Sequence, residues 1–219
     1  MTPDSNKVTE VFDDWAERGR AEGMERGHNH AARAGFDLLA LAAGNRYLDI
    51  GCGNGYSVRW AATAASSVRA VGIDIAPKMI ERARSQSSSL DNCEFLCGAF
   101  PNNALKDSSF NCIFSMEVLY YVPDLEGAIA SVARLLAPGG RFVSIIDHYA
   151  ENVASHSWGP DMGLELHLKS APQWRELFAA AGFADVEQSR VRAPAIAGEP
   201  ESWKQTQGSL MTFGKIAGN

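Results

Sequence analysis

The stretch Asp49-Ile50-Gly51-Cys52-Gly53-Asn54-Gly55 decides how this chain is read. It follows an apolar run, Tyr47 to Ile50, and precedes a segment of helical character from Tyr56 to about Ala65, so it forms the turn between a strand and a helix. In an open parallel sheet the ligand crevice lies beyond the carboxyl ends of the strands, which is where such a turn sits. Glycines suit it because a side chain would hold a ligand off the backbone, and because tight turns often need positive φ. Purely structural turns use glycine too. The next apolar run, Val68 to Ile73, closes on Asp74, about twenty residues after the glycines, where a carboxylate can accept both hydroxyls of a ribose. Alone, Asp74 also reads as a helix cap ahead of Pro77. Together and in this order, the two features point to a bound nucleoside.

Working outward, apolar runs alternate with helical segments. The helix from Pro77 to about Ser85 is followed by strands over Cys93 to Cys97 and Cys112 to Met116, a helix from Leu125 to Leu136, and a strand from Arg141 to Ile146. Pro123-Asp124 starts that last helix and Pro138-Gly139-Gly140 is expected to stop it. Pro172 to Ala181 reads as a helix, and Asp185 to Val191 and Leu210 to Ile216 as strands. This rhythm predicts an α/β fold whose mostly parallel sheet is covered on both faces. Ahead of it, Val8, Val11, Phe12 and Trp15 recur at helical spacing. Gly19, Gly23 and Gly27 then predict a pliable segment, and a second helix follows from about Asn29 to Ala42.

Dehydrogenases share the strand, glycine turn, strand and acid layout, with a Gly-x-Gly-x-x-Gly fingerprint whose last glycine permits close helix packing. Here Tyr56 occupies that last place. What remains, Asp-x-Gly-x-Gly-x-Gly, resembles the first motif of class I S-adenosylmethionine (SAM) dependent methyltransferases. The resemblance runs from about Arg46 to Ile146 and is closest to the group that includes ubiquinone and menaquinone biosynthesis methyltransferases. Its further pieces are Val71-Gly-Ile-Asp-Ile-Ala-Pro-Lys-Met79, Phe110-Asn-Cys-Ile-Phe-Ser-Met-Glu-Val-Leu119 and Leu135-Leu-Ala-Pro-Gly-Gly-Arg-Phe142.

The resemblance implies a Rossmann-like, seven-stranded fold, with residues 1–45 as an N-terminal helical lid segment and 46–219 as the SAM-binding domain, one compact unit in all. It implies SAM as cofactor, S-adenosylhomocysteine as product, and a small-molecule methyl acceptor. The cofactor would lie on Asp49, Gly51, Cys52 and Gly53, with Asp74 on the ribose, Ile75 and Met79 flanking adenine, Ala99 and Phe100 beyond it, and Met116 and Glu117 against the methionine moiety. Ala99 stands where many relatives have an aspartate for the adenine amino group, so adenine recognition must rest on backbone or apolar contact.

Candidates for acceptor chemistry come from where strands end. His148, after the fifth strand, is either a general base facing the acceptor or a locally hydrogen-bonded histidine. Tyr120 and Tyr121 either line the pocket or cover the core. The N-terminal segment with Trp15, Arg20, Glu22, Glu25, His28 and His30 is a lid or a solvated helix face. His28, His30, His148, His156 and His167 lack the short spacings of ligand sets, and no metal is expected. The segments 150–170 and 193–208 would shape the acceptor pocket.

With 219 residues, 46% hydrophobic and 21% charged, the chain has the composition of one globular domain. A net charge of −6 disfavours a phosphate backbone as partner. The polar opening residues and the lack of a long apolar run lead us to expect a cytoplasmic protein without membrane insertion. Cys52, Cys93, Cys97 and Cys112 show no Cys-x-x-Cys pair and read as reduced small hydrophobes. The competing functions are a SAM-sensing or partner-binding protein without turnover, and a nicotinamide-dependent oxidoreductase.

Overall fold

The computed structural model describes residues 3–195, 197–198 and 200–218; Met1, Thr2, Ile196, Glu199 and Asn219, parts of the expected lid and acceptor segments among them, lie outside the described residues. A seven-stranded sheet runs in the order β3-β2-β1-β4-β5-β7-β6. The strands are β1 (Arg46–Ile50), β2 (Arg69–Asp74), β3 (Cys93–Cys97), β4 (Phe110–Met116), β5 (Leu136–Ile146), β6 (Ala184–Val191) and β7 (Ser209–Lys215). The first five pair in parallel, while β7 runs antiparallel to both β5 and β6. The order reverses beside β1, so a crevice opens past the ends of β1 and β4.

Because both faces are covered, the central strands are apolar on both sides rather than alternating. Leu48, Ile50, Ile113, Phe142 and Ile146 face one core with α5 (Leu125–Leu135) and the helix Ala171–Ala180. Tyr47, Cys112, Phe114, Val143 and Ile145 face the other, against α2 (Ala21–Leu38), α3 (Tyr56–Ala64) and α4 (Pro77–Gln86). The former core includes the stacked rings of Phe142 and Phe178, 5.0 Å apart, and the fully buried Trp174.

Two local expectations are corrected. The segment with Gly23 and Gly27 is no pliable linker: α1 (Ser5–Glu17) and α2 are separated only by a short turn at Gly19, and α2 runs unbroken from Ala21. The helix is held at its far end, where Ala32, Gly35 and Phe36 are buried against the sheet, so tertiary packing outweighs the ~1 kcal/mol helix penalty of each glycine. Likewise Pro138-Gly139-Gly140 does not stop the helix. α5 ends when Leu136 turns extended, and β5 starts there, with a register irregularity opposite Phe110 and Cys112 that accommodates the Pro-Gly-Gly residues.

The N-terminal pair is fastened to the sheet domain at α4. Asp13 accepts the backbone N–H of Lys78 at 2.9 Å, and Arg82 meets Glu22 at 2.5 Å. This places α1 and the first turns of α2 over the carboxyl ends of β1, β2 and β4, where the cavity lies. Among the described residues, no helix is long and apolar enough to cross a membrane.

Candidate active site

The turn after β1 is held from beneath by Asp74. One carboxylate oxygen accepts from Gly53 N–H at 2.8 Å and the other from Ala76 N–H at 2.9 Å. Each oxygen keeps a further lone pair, and together they can take two hydroxyls. Burial raises the Asp74 carboxyl to about 6, with the Ala76 and Gly53 N–H groups opposing that rise. Gly51 (φ +71°) lies so close to Val118 that a Cβ would come within 2.1 Å of its methyl. Gly53 (φ +52°) differs: nothing lies within 4 Å of where its Cβ would project. A ligand can therefore rest directly on its backbone.

That open space belongs to a cavity of about 490 Å³, within the range of small-molecule sites. One end is lined by Gly51, Cys52, Gly53, Asp74, Ile75, Met79, Ala99 and Phe100; the middle by Met116 and Glu117; the far end by Tyr120, Tyr121, Trp158, Met162 and Trp203. Phe12 and Trp15 of α1 close the top, Phe12 edge-on to Tyr121 at 5.2 Å. Twelve of the fourteen residues expected at the cofactor and acceptor sites line this cavity, and Asp49 and His148 do not.

Those on the wall are Gly51, Cys52, Gly53, Asp74, Ile75, Met79, Ala99, Phe100, Met116, Glu117, Tyr120 and Tyr121. Asp49 is behind it. Its side chain shares the inner face with Tyr47, accepts a hydrogen bond from Ser57 Oγ that anchors the first turn of α3, and is pushed up by burial to about 8. His148 is set back from the wall, behind Tyr120 and Trp158. It is buried, absent from the cavity wall, with Nδ1 3.0 Å from Ser155 O and its ring 5.3 Å from that of Tyr120. The reason is alternation: Asp147 at the end of β5 faces the cavity, and the next side chain turns away.

The middle of the cavity holds charges that the strand pattern does not announce. Glu117 sits at φ +60°, an uncommon backbone state for this residue type. Its carboxylate accepts from Tyr120 OH at 2.6 Å and from the backbone N–H of Asp147. Asp147 and Glu117 are both raised, chiefly by burial, and Lys204 lies 3.9 Å from Asp147 while donating to Gly27 O at 2.6 Å. His28, from α2, also faces this group. The other histidines are elsewhere: His30 meets Arg192 O, His156 meets Ala150 O and His167 meets Val122 O.

Residues 48–144 match the family model described as a methyltransferase domain. The chain is 32% identical over 188 residues to O-methyltransferase rstn1 of Aspergillus nomiae, covering 81% of each. In structure it superposes, with a TM-score of 0.85 and 31% identity over 94% of this chain and 97% of the other, on a protein solved in complex with the Haloferax volcanii Trm112 methyltransferase activator. The chain belongs to the class I SAM-dependent methyltransferases. A rice relative, 24-methylenesterol C-methyltransferase 2, is 38% identical over 126 residues, but this chain spans only 34% of its length, and 46% of the demethylmenaquinone methyltransferase of Tropheryma whipplei.

The methyltransferase fold is thus the expected Rossmann-like one, and its residues fit the family's cofactor: an acid for the ribose, an uncovered glycine beneath the ligand, and apolar Ile75 and Met79 beside the position of a flat base. At the position of the missing adenine acid, Ala99 offers an exposed backbone, with its carbonyl taken only by a 3.3 Å contact from Asn102. Hydroxyl groups bind the ionised carboxylate of Asp74 better than the protonated one. Since that carboxyl titrates near 6, S-adenosylhomocysteine affinity is expected to be level from pH 7 to 8 and to weaken about tenfold by pH 5. Calorimetric titration at these pH values checks it; affinity unchanged at pH 5 would contradict the pairing of a raised Asp74 carboxyl with ribose binding.

Proposed function

We propose that this methyltransferase transfers the methyl group of SAM to a small organic acceptor held between Tyr120, Tyr121, Trp158, Met162 and Trp203. The observation that carries this reading is the continuity of the cavity, which joins the Asp74 and Gly53 end to the aromatic end past Met116 and Glu117. A bound sulfonium supplies an already activated methyl group. The chain's own task is then to hold the cofactor by Asp74 and the glycine turn, to place the acceptor in line beyond the sulfur, and to keep water out. Positioning of this kind is worth on the order of 7 kcal/mol or more in well-oriented systems. Phe12 and Trp15 close the site from above, which fits a lid that opens for exchange.

The aromatic end favours a moderately apolar acceptor. That the named relatives act on such different molecules as sterols and quinones leaves the acceptor's class to its own pocket. The Trm112 complex of the Haloferax protein, similar over nearly the whole chain, supports a second component: a small activator protein bound to this methyltransferase as well.

Both readings meet in one assay. Purified protein is incubated with labelled SAM and a panel of phenols, amines, thiols and quinol-like compounds, with and without the Trm112-type protein of the same organism. Formation of S-adenosylhomocysteine with a methylated product is expected, and a higher rate with the activator. Binding of SAM with no product from any acceptor would favour a SAM-sensing role instead. Co-elution and rate both unaltered by the activator would remove it as a partner.

A further inference from the structure

Three potential ligand atoms from distant parts of the chain meet in the middle of the cavity. A ring nitrogen of His28 and one carboxylate oxygen each of Glu117 and Asp147 all lie within 4.8 Å of one another. They come from α2, from the residue after β4 and from the residue after β5. Asp147 is 1% exposed, and its Oδ1 has no hydrogen-bond partner. A buried carboxylate oxygen without a partner carries a free-energy cost that a ligand would offset.

We propose that His28, Glu117 and Asp147 form a divalent cation site at the junction of the cofactor and acceptor halves of the cavity. One imidazole with two carboxylates is a donor set for a first-row ion such as Mn²⁺ or Zn²⁺ rather than for Ca²⁺, which favours oxygen alone. Bonds of about 2.1 Å put neighbouring ligand atoms roughly 3 to 4 Å apart, so binding draws the three groups closer together than the 4.8 Å within which they now lie. The carboxylates are already oriented by the groups behind them. Tyr120 OH and the Asp147 N–H hold Glu117, as supporting partners do around metal ligands.

Three protein ligands leave coordination positions open, and the ligands face the cavity. Resting on the function proposed above, the ion would take an oxygen of the acceptor, a hydroxyl or carboxylate, and so select acceptors that carry one. Lys204 is the resident competitor. Its ammonium is 3.9 Å from Asp147 Oδ2, and its bond to Gly27 O holds it beside the helix that carries His28. An entering ion displaces it or shares Asp147 through the other, unpartnered oxygen.

The test is titration of the full chain, freed of metal by chelation, with Mn²⁺ and separately with Zn²⁺, followed by calorimetry and by the electron spin resonance of Mn²⁺. One ion per chain is expected to bind, at least thirtyfold more weakly in His28→Ala and in Asp147→Asn and more tightly in Lys204→Gln. Unfolding temperature is recorded for each, so that a misfolded variant is not counted. No saturable binding of either ion to the natural chain overturns the site, as does affinity unaltered in both weakening variants. Binding that appears only in Lys204→Gln also overturns it, and assigns Lys204 as the permanent counter-charge. S-adenosylhomocysteine is titrated on the same natural chain. Its binding without Mn²⁺ or Zn²⁺ binding sinks the cation site alone; the reverse sinks the methyl-transfer reading and leaves the cation site standing.

Discussion

Replacing Asp74 with Asn is expected to weaken S-adenosylhomocysteine binding about a hundredfold while the protein stays folded. The carboxylate accepts one hydrogen bond from the turn at Gly53 and one from Ala76, and can accept two more from a ribose. An amide keeps one acceptor oxygen and replaces the other with donors, which then face the N–H of Gly53 or Ala76. Losing charge-assisted bonds to the ligand and tilting the turn together cost about 3 kcal/mol of affinity, the equivalent of the hundredfold change. Stability moves the other way or little, because burial already disfavours the charge at this position. Calorimetry with S-adenosylhomocysteine, alongside thermal unfolding, measures both. Affinity within threefold of the natural chain would show that the ribose rests elsewhere.

The second large effect is at Gly51. An alanine Cβ there would lie 2.1 Å and 2.7 Å from the two methyl carbons of Val118, on a backbone at φ +71°. Left-handed backbone costs an L-residue roughly 1 to 2 kcal/mol, and forcing a methyl into packed surroundings roughly 1 to 3 more. Gly51→Ala is therefore expected to lose about 3 kcal/mol, or about 10 °C in unfolding temperature for a chain of this size. Val118→Ala added to it should return part of the packing loss and none of the backbone cost, a coupling that a double-mutant cycle reads directly. Gly53→Ala makes the contrast. Its methyl meets no protein atom, so stability should fall by only about 1 kcal/mol while cofactor affinity falls severely, since the methyl enters the space where the ligand lies. Equal stability of Gly51→Ala and the natural chain would contradict the close approach to Val118.

The contrast between these two glycines marks what a sequence can and cannot say. That the turn is a ligand-bearing one was legible, because glycine at strand ends and an acid at the next strand end are local features. Which glycine is crowded and which is open was not, since Val118 lies far along the chain. The parallel sheet was equally legible from its apolar runs, and so was the order of elements. The unbroken course of α2 was hidden because the packing that holds it, at Ala32, Gly35 and Phe36, is between that helix and strands more than a hundred residues away for β5. His148 was singled out on its proximity to a strand end. The strand ends at Ile146 as the sequence led us to expect, and it is the neighbouring Asp147 that lines the cavity. The meeting of His28 with Glu117 and Asp147 had no signal in spacing at all. It depends on the helix pair being fastened to α4 by Asp13 and Arg82.

The place of β7 has a consequence for how the molecule is made. It is the last strand in the chain order yet lies between β5 and β6. During synthesis, the backbone groups of residues 141–146 that later pair with β7 stay open until residues 209–215 have left the ribosome. Through that interval a half-finished sheet displays a free edge, able to recruit a strand from a neighbouring nascent chain. Slow codons between Ile146 and Ser209 are therefore expected to lower the soluble yield without altering a single residue, which expression of synonymous-codon variants measures.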